Sequence, residues 1–124
     1  MRWIVDGMNV IGSRPDGWWR DRQRAMATLV EKLEAWASRE GSDVTVVFEK
    51  PPSPPLESTV ITVTHAPAAA PNSADDEIVR LVGSAEDPAG ITVATSDRAL
   101  ADRVRAVGAS VFPAEALRGL VDPR

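Results

Sequence analysis

The sequence predicts an α/β fold, three layers deep, with helices on both faces of a mostly parallel sheet of about five strands. Two observations carry that expectation. Short apolar runs that read as strands alternate with longer stretches of helical period. The first such run, Trp3-Ile4-Val5, ends on Asp6 and is followed at once by Gly7. A carboxylate where a strand meets a glycine turn lies at the carboxyl edge of an α/β sheet, where such folds bind ligands.

Taken in order, residues 2 to 6 form the first strand. Gly7 then permits a sharp turn, and Asn9 sits in the loop ahead of Val10 and Ile11. Residues 12 to 21 are a loop with Pro15, Gly17 and the pair Trp18-Trp19. Arg22 to Arg39 is an amphipathic helix, with Met26, Leu29, Val30, Leu33 and Trp36 on one face and Gly41 as its stop. Val44 to Phe48 is a nearly continuous apolar run, as in a central parallel strand. The segment KPPSPP, Lys50 to Pro55, cannot continue it. Thr59 to Thr64 alternates as a half-buried edge strand, and an Ala/Pro loop covers residues 65–71.

Asn72 and Ser73 then open a helix whose first turn carries Asp75, Asp76 and Glu77. Ile91 to Ala94 is a fourth strand, and Thr95-Ser96-Asp97 leads into a helix with Leu100, Val104 and Val107 on its buried face. Gly108 ends that helix, Ala109 to Phe112 is a fifth strand, and Pro113 to Leu120 a last short helix. The connection between the second and third strands has no room for a helix of normal length. A sheet order of 3-2-1-4-5 follows, with a reversal between strands 1 and 4 that opens a crevice flanked by Asp6 and Asp97.

The whole 124 residues are read as one domain, long enough to bury a core unaided. Without cysteine, neither disulfides nor thiolate metal sites are available. No apolar run approaches the roughly 20 residues that span a bilayer, and the start of the chain has no signal-like pattern, so a cytoplasmic location is expected. A net charge of −4 excludes binding nucleic acid by bulk attraction, although acids gathered at one metal site lower the net charge without marking the binding surface. With a single histidine, His65, a histidine-rich zinc site is excluded as well.

Asp6, Asp75, Asp76 and Asp97 come from three segments that this topology brings to one edge of the sheet. Carboxylates brought together repel unless a cation lies between them. Magnesium and manganese take oxygen ligands and polarise a phosphoryl oxygen or a water. Each acid also has a plainer reading. Asp75 and Asp76 complement a helix dipole, Ser73 with Asp76 has the spacing of a capping box, and Asp97 fits as a helix-start acid. Asp6 has no propensity reason to end an apolar strand.

The segments VDGMNVIG, SADDEI and VATSDR, in this order and spacing, resemble the NYN domain of the PIN-like nuclease superfamily, and most nearly its bacterial YacP-like group. The resemblance covers almost the whole chain, including the tryptophans and the segment Gly108 to Ser110. It implies a PIN-like α/β/α fold and hydrolysis of RNA by metal-activated water, leaving a 5′-phosphate and a 3′-hydroxyl. Carried across, Asp6, Asp76 and Asp97 are the catalytic acids and core ligands of Mg²⁺ or Mn²⁺, with Asp75 beside them. Asn9, Ser96 and Arg98 are the substrate-binding candidates. Asp102 fits either as a further acid or as a partner of Arg98 or Arg105. One departure stands out: the group's second strand usually ends in VFD, and this chain has Val47-Phe48-Glu49-Lys50. Met8 also replaces a frequent tyrosine. The alternative is a catalytically weak module on the same fold that binds RNA, the ribosome or an RNA-processing factor. One of Trp18 and Trp19 is expected to pack and the other is left open, with base stacking as the role of an exposed ring; a homodimer contact through their loop is a separate expectation.

Overall fold

The computed structural model describes residues 1–67, 70 and 72–123. Five parallel strands form one sheet, β1 (Arg2–Asp6), β2 (Asp43–Phe48), β3 (Thr62–His65), β4 (Ile91–Ala94) and β5 (Ser110–Phe112), in the order β3-β2-β1-β4-β5. The expected order therefore holds, and the sheet is parallel throughout. Of the Ala/Pro loop expected over 65–71, residues 68, 69 and 71 lie outside the described residues.

Strand alternation sorts the core into two layers. Trp3, Val5, Val44, Val46 and Phe48 face helices α1 (Gly7–Ile11), α2 (Arg22–Glu40) and α5 (Ala114–Val121). Ile4, Val47, Ile91 and Val93 face α3 (Ser73–Gly83) and α4 (Arg98–Ala106). The helix α2 buries Leu29, Val30, Leu33, Trp36 and Ala37, and Gly41 ends it at a φ of 64°. Asp21 caps its start, accepting from the Arg24 amide at 3.1 Å. Trp36 and Phe112 both meet the Trp3 ring edge-on, at 5.3 and 5.4 Å.

Three local expectations are corrected. The residues after Asp6 are a short helix, α1, rather than a loop, so Asn9 is helical. Gly7 is required for a close approach, not for an unusual φ: a Cβ there would lie 2.6 Å from the ring of the fully buried Phe48. The third strand begins at Thr62 rather than Thr59. The Ser58 hydroxyl accepts from the Val60 and Ile61 amides, which holds that backbone in a turn. At the start of α3, Ser73 and Asp76 form no capping box. Asn72 occupies the cap with φ 63° and no side-chain bond, and the Ser73 hydroxyl accepts from the Ala70 amide instead.

Candidate active site

Register brings the site together. Val5 lies opposite Ala94 in the β1–β4 pairing, so the residues that follow, Asp6 and Thr95, stand side by side at the carboxyl edge. The Thr95 hydroxyl donates to Asp6 Oδ2 at 2.9 Å and accepts from the Asp97 amide at 3.1 Å. Asp97 caps α4, its Oδ1 accepting from the Leu100 amide. Across the reversal point, Asn9 Oδ1 accepts from the Ser96 amide at 2.8 Å, tying α1 to the loop after β4. Ser96 turns its own oxygen the other way, accepting from the Ala114 amide at the start of α5.

A cavity of about 260 Å³ opens over this edge, and Asp6, Asn9, Glu49, Asn72, Asp75 and Asp97 supply its polar lining. Asp6 is 6% exposed. Burial, against the hydrogen bond from Thr95, pushes its pKa up to about 7, and the negative charges of Asp75, Asp97 and Glu49 add to the rise. Asp75 is pushed up as well, by burial first and then by Asp97, with Arg103 opposing. Among the described residues no buried side-chain oxygen lacks a partner and Oδ1 of Asp6 makes no hydrogen bond, so Oδ1 keeps its contact with solvent in the cavity.

The family model for the YacP-like NYN domain matches residues 3–123. The chain belongs to the YacP-like NYN domain family. This is a nuclease-type family. The structure of Rae1 (YacP) from Bacillus subtilis superposes with a TM-score of 0.79 at 28% identity, over 97% of this chain and 73% of that one. The W164L mutant of the same protein gives 0.78 at 28% identity, over 96% and 74%. Comparison with curated protein sequences gives no match.

Within this NYN domain the acids are sorted differently from the expectation. Asp75, with Asp6 and Asp97, lines the cavity. Asp76, expected as a core ligand, is exposed and pairs with Arg103 at 2.9 Å, outside the cavity lining. The helix rotation decides this: Asp75 shares its stripe with the half-buried Val79, and Asp76 shares its stripe with the exposed Arg80. Asp102 is exposed and 4.0 Å from Arg105, one of the two partners expected for it. Arg98 is exposed on the first turn of α4, and His65 lies at the end of β3 with Nδ1 2.8 Å from the Ala66 carbonyl. Glu49 faces the acids, so the substitution in the second-strand motif belongs to the site.

Two polar residues of the site went unrecognised in the sequence. Asn72 lines the cavity from its left-handed position. Thr95, 1% exposed, joins Asp6 to Asp97. Its signal was its place immediately before Ser96-Asp97, directly beyond β4. Replacing Thr95 with valine keeps the shape and removes both bonds. The variant is expected to lose about 2 kcal/mol of stability, because the Asp97 amide loses its acceptor and Asp6 its donor. In metal-free protein followed by carboxyl NMR, the midpoint of the Asp6 titration is expected to rise above about 7. An unchanged midpoint would contradict the assigned bond.

The donor set is all oxygen, which suits magnesium or manganese and not zinc. Among the described residues, no group of three acidic or histidine side chains is placed to enclose a metal ion. The fit is to a hydrated ion that takes one or two carboxylates directly and keeps its remaining waters, as magnesium commonly does.

Proposed function

We propose that this NYN domain is a Mg²⁺- or Mn²⁺-dependent ribonuclease that hydrolyses RNA phosphodiester bonds at the cavity formed by Asp6, Asp75 and Asp97. The observation that carries the reading is the convergence of these three carboxylates, from the end of β1, the first turn of α3 and the cap of α4, on one cavity, with Asp6 buried and no cation among the described residues lining it. Such an arrangement is costly for the fold unless a cation or a proton compensates it. A divalent ion held there would polarise a phosphoryl oxygen and make a water more acidic.

The chain's own groups do the rest. Asp6 and Asp75 would hold the hydrated ion, and Asp97, with the oxygen that its cap bond leaves over, would accept hydrogen bonds from the waters around it. Thr95 fixes Asp6 with one oxygen turned to the cavity. Asn9 and Ser96, locked by their mutual bond, shape the neighbouring wall, and Arg98, exposed on the first turn of α4 next to Asp97, is the proposed phosphate contact. The only histidine is at the end of β3, so no imidazole serves as general base. Products with a 5′-phosphate and a 3′-hydroxyl are expected, the water oxygen bonding to phosphorus as the 3′-oxygen leaves and takes a proton.

The test is cleavage of a mixed pool of single-stranded and structured RNA. Cutting in manganese that disappears in EDTA and in Asp97→Asn supports the nuclease. RNA binding without manganese-dependent cutting, in a chain that also fails to bind manganese, would replace it with the binding module, whose partner would be RNA or a ribosomal or RNA-processing factor. No helix among the described residues is long and apolar enough to cross a membrane.

A further inference from the structure

A second cavity, of about 320 Å³, lies on the far side of α1 from the acids, between the tryptophan turn and α2. Its size is in the range of small-ligand pockets, roughly 300–1,000 Å³. Ile11 and Leu29 form an apolar floor, and Trp18 supplies an aromatic wall. Around them Asp16, Asp21 and Asp122 stand against Arg24, Lys32 and Arg118. Three carboxylates against three cations give the wall no net charge, so it has no bulk attraction for a phosphate. An apolar floor and an aromatic wall, with both donors and acceptors at the edge, match a neutral flat ring with a polar rim. Arg118 is held rigid beneath, donating to the Val10 and Ile11 carbonyls and to Asp16.

The helix α1 separates the cavity from the acidic cleft, and a shallow depression lies beside that helix. Met8 and Asn9 line the cleft and also a neighbouring depression whose far wall is Gly12 and Ser13. The Trp18 ring lies 3.8 Å from where a Cβ on Gly12 would stand, so the indole packs near the glycine that borders this depression. Outside, the cations gather. Arg22 stacks over Trp18 at 5.3 Å and Arg20 over the half-exposed Trp19 at 6.0 Å, both on the exposed side of the turn.

We propose that this cavity is a subsite for an unpaired nucleobase of the RNA strand, seated against Trp18 while Arg20 and Arg22 hold the adjoining phosphates. The proposal rests on the nuclease reading and adds to it that the substrate is single-stranded on this side of the cleft. A paired base cannot leave its stack to enter without the cost of unpairing, whereas single strands offer their bases to aromatic walls.

The test is binding of a fluorescein-labelled ten-nucleotide single-stranded RNA in EDTA, read by anisotropy. Thr28, exposed on α2 and lining the cavity, permits a plug that leaves the core intact. Thr28→Phe is expected to weaken binding at least ten-fold, Trp18→Ala to do the same, and Trp18→Phe to keep most of the affinity. An RNA of equal length with abasic positions is expected to bind the wild-type chain as weakly as ordinary RNA binds Thr28→Phe. Equal affinity for Thr28→Phe, Trp18→Ala and the wild type would overturn the subsite and leave the nuclease reading untouched. The expected losses in a chain that neither cleaves RNA with manganese nor binds manganese would uphold the subsite and overturn the nuclease. No binding of this RNA by the wild-type chain in EDTA would overturn the subsite, while cleavage in manganese tests the nuclease separately.

Discussion

Asp6→Asn is expected to abolish RNA cleavage while making the metal-free protein more stable at pH 8. The reason is the environment of Asp6 in the fold. Unfolded, its carboxyl titrates near 3.8; folded, burial and three neighbouring acids hold it at about 7. Between those values the folded state binds the extra proton. The stability this contributes is complete below about pH 4 and is lost as pH rises through 7. At pH 8 the folded metal-free chain has lost, on the order of, 4 kcal/mol to this one group. Asparagine is neutral, keeps an oxygen for Thr95 and occupies the same volume. Urea unfolding in EDTA is expected to show wild-type stability falling by a few kcal/mol from pH 5 to pH 8, and a much flatter profile for the variant. Manganese is expected to raise the wild-type Tm and leave that of Asp6→Asn unmoved. A variant less stable than the wild type at pH 8 would show that Asp6 is compensated in the fold.

Arg118→Met is expected to cost about 3 kcal/mol, because two buried carbonyls and a carboxylate lose a charged donor together. In a chain of this size that lowers Tm by roughly 10 °C in calorimetry. Arg118 is 9% exposed and binds the Val10 and Ile11 carbonyls that end α1, with Asp16 and Asp122 on its other nitrogens. The loss therefore falls on the element that carries Asn9 and the wall of the cleft. Lys32 and Arg14 remain near Asp122 and limit the damage there. A Tm within 2 °C of the wild type would contradict this role.

Most of the sheet was legible because its signals are periodic. The strands β1, β2 and β4 are short apolar runs, and nineteen residues of α2 carry a stripe in which four of the five expected members, Leu29, Val30, Leu33 and Trp36, are buried, with Met26 half-buried and Ala37 added. Signals shorter than a period failed. Five residues of α1 cannot show a helical repeat, and one serine hydroxyl overrode the alternation at Val60. The candidate site was legible in part. Asp6, Asp97 and Asn9 were placed by strand ends, which topology positions closely. The choice between Asp75 and Asp76 depends on the rotation of α3, about 100° per residue, and the stripe through Val79 and Arg80 contained it. Thr95 and Arg118 act through partners about 90 and 100 residues away in the chain, and no local pattern announces such bonds. One tryptophan of the pair packs, as expected: Trp18 lies against the core, and Trp19 is half-exposed.

The most direct measurement is the rate of manganese-dependent RNA cleavage by Asp75→Asn and Asp76→Asn, side by side with the wild type. Asp75 faces Asp6 and Asp97, so its loss is expected to lower the rate at least a hundred-fold. Asp76 forms an exposed ion pair with Arg103, and its replacement is expected to change the rate less than three-fold. Loss of cleavage in Asp76→Asn with full activity in Asp75→Asn would contradict the account, since the acids that act would not be those the fold gathers around Asp6.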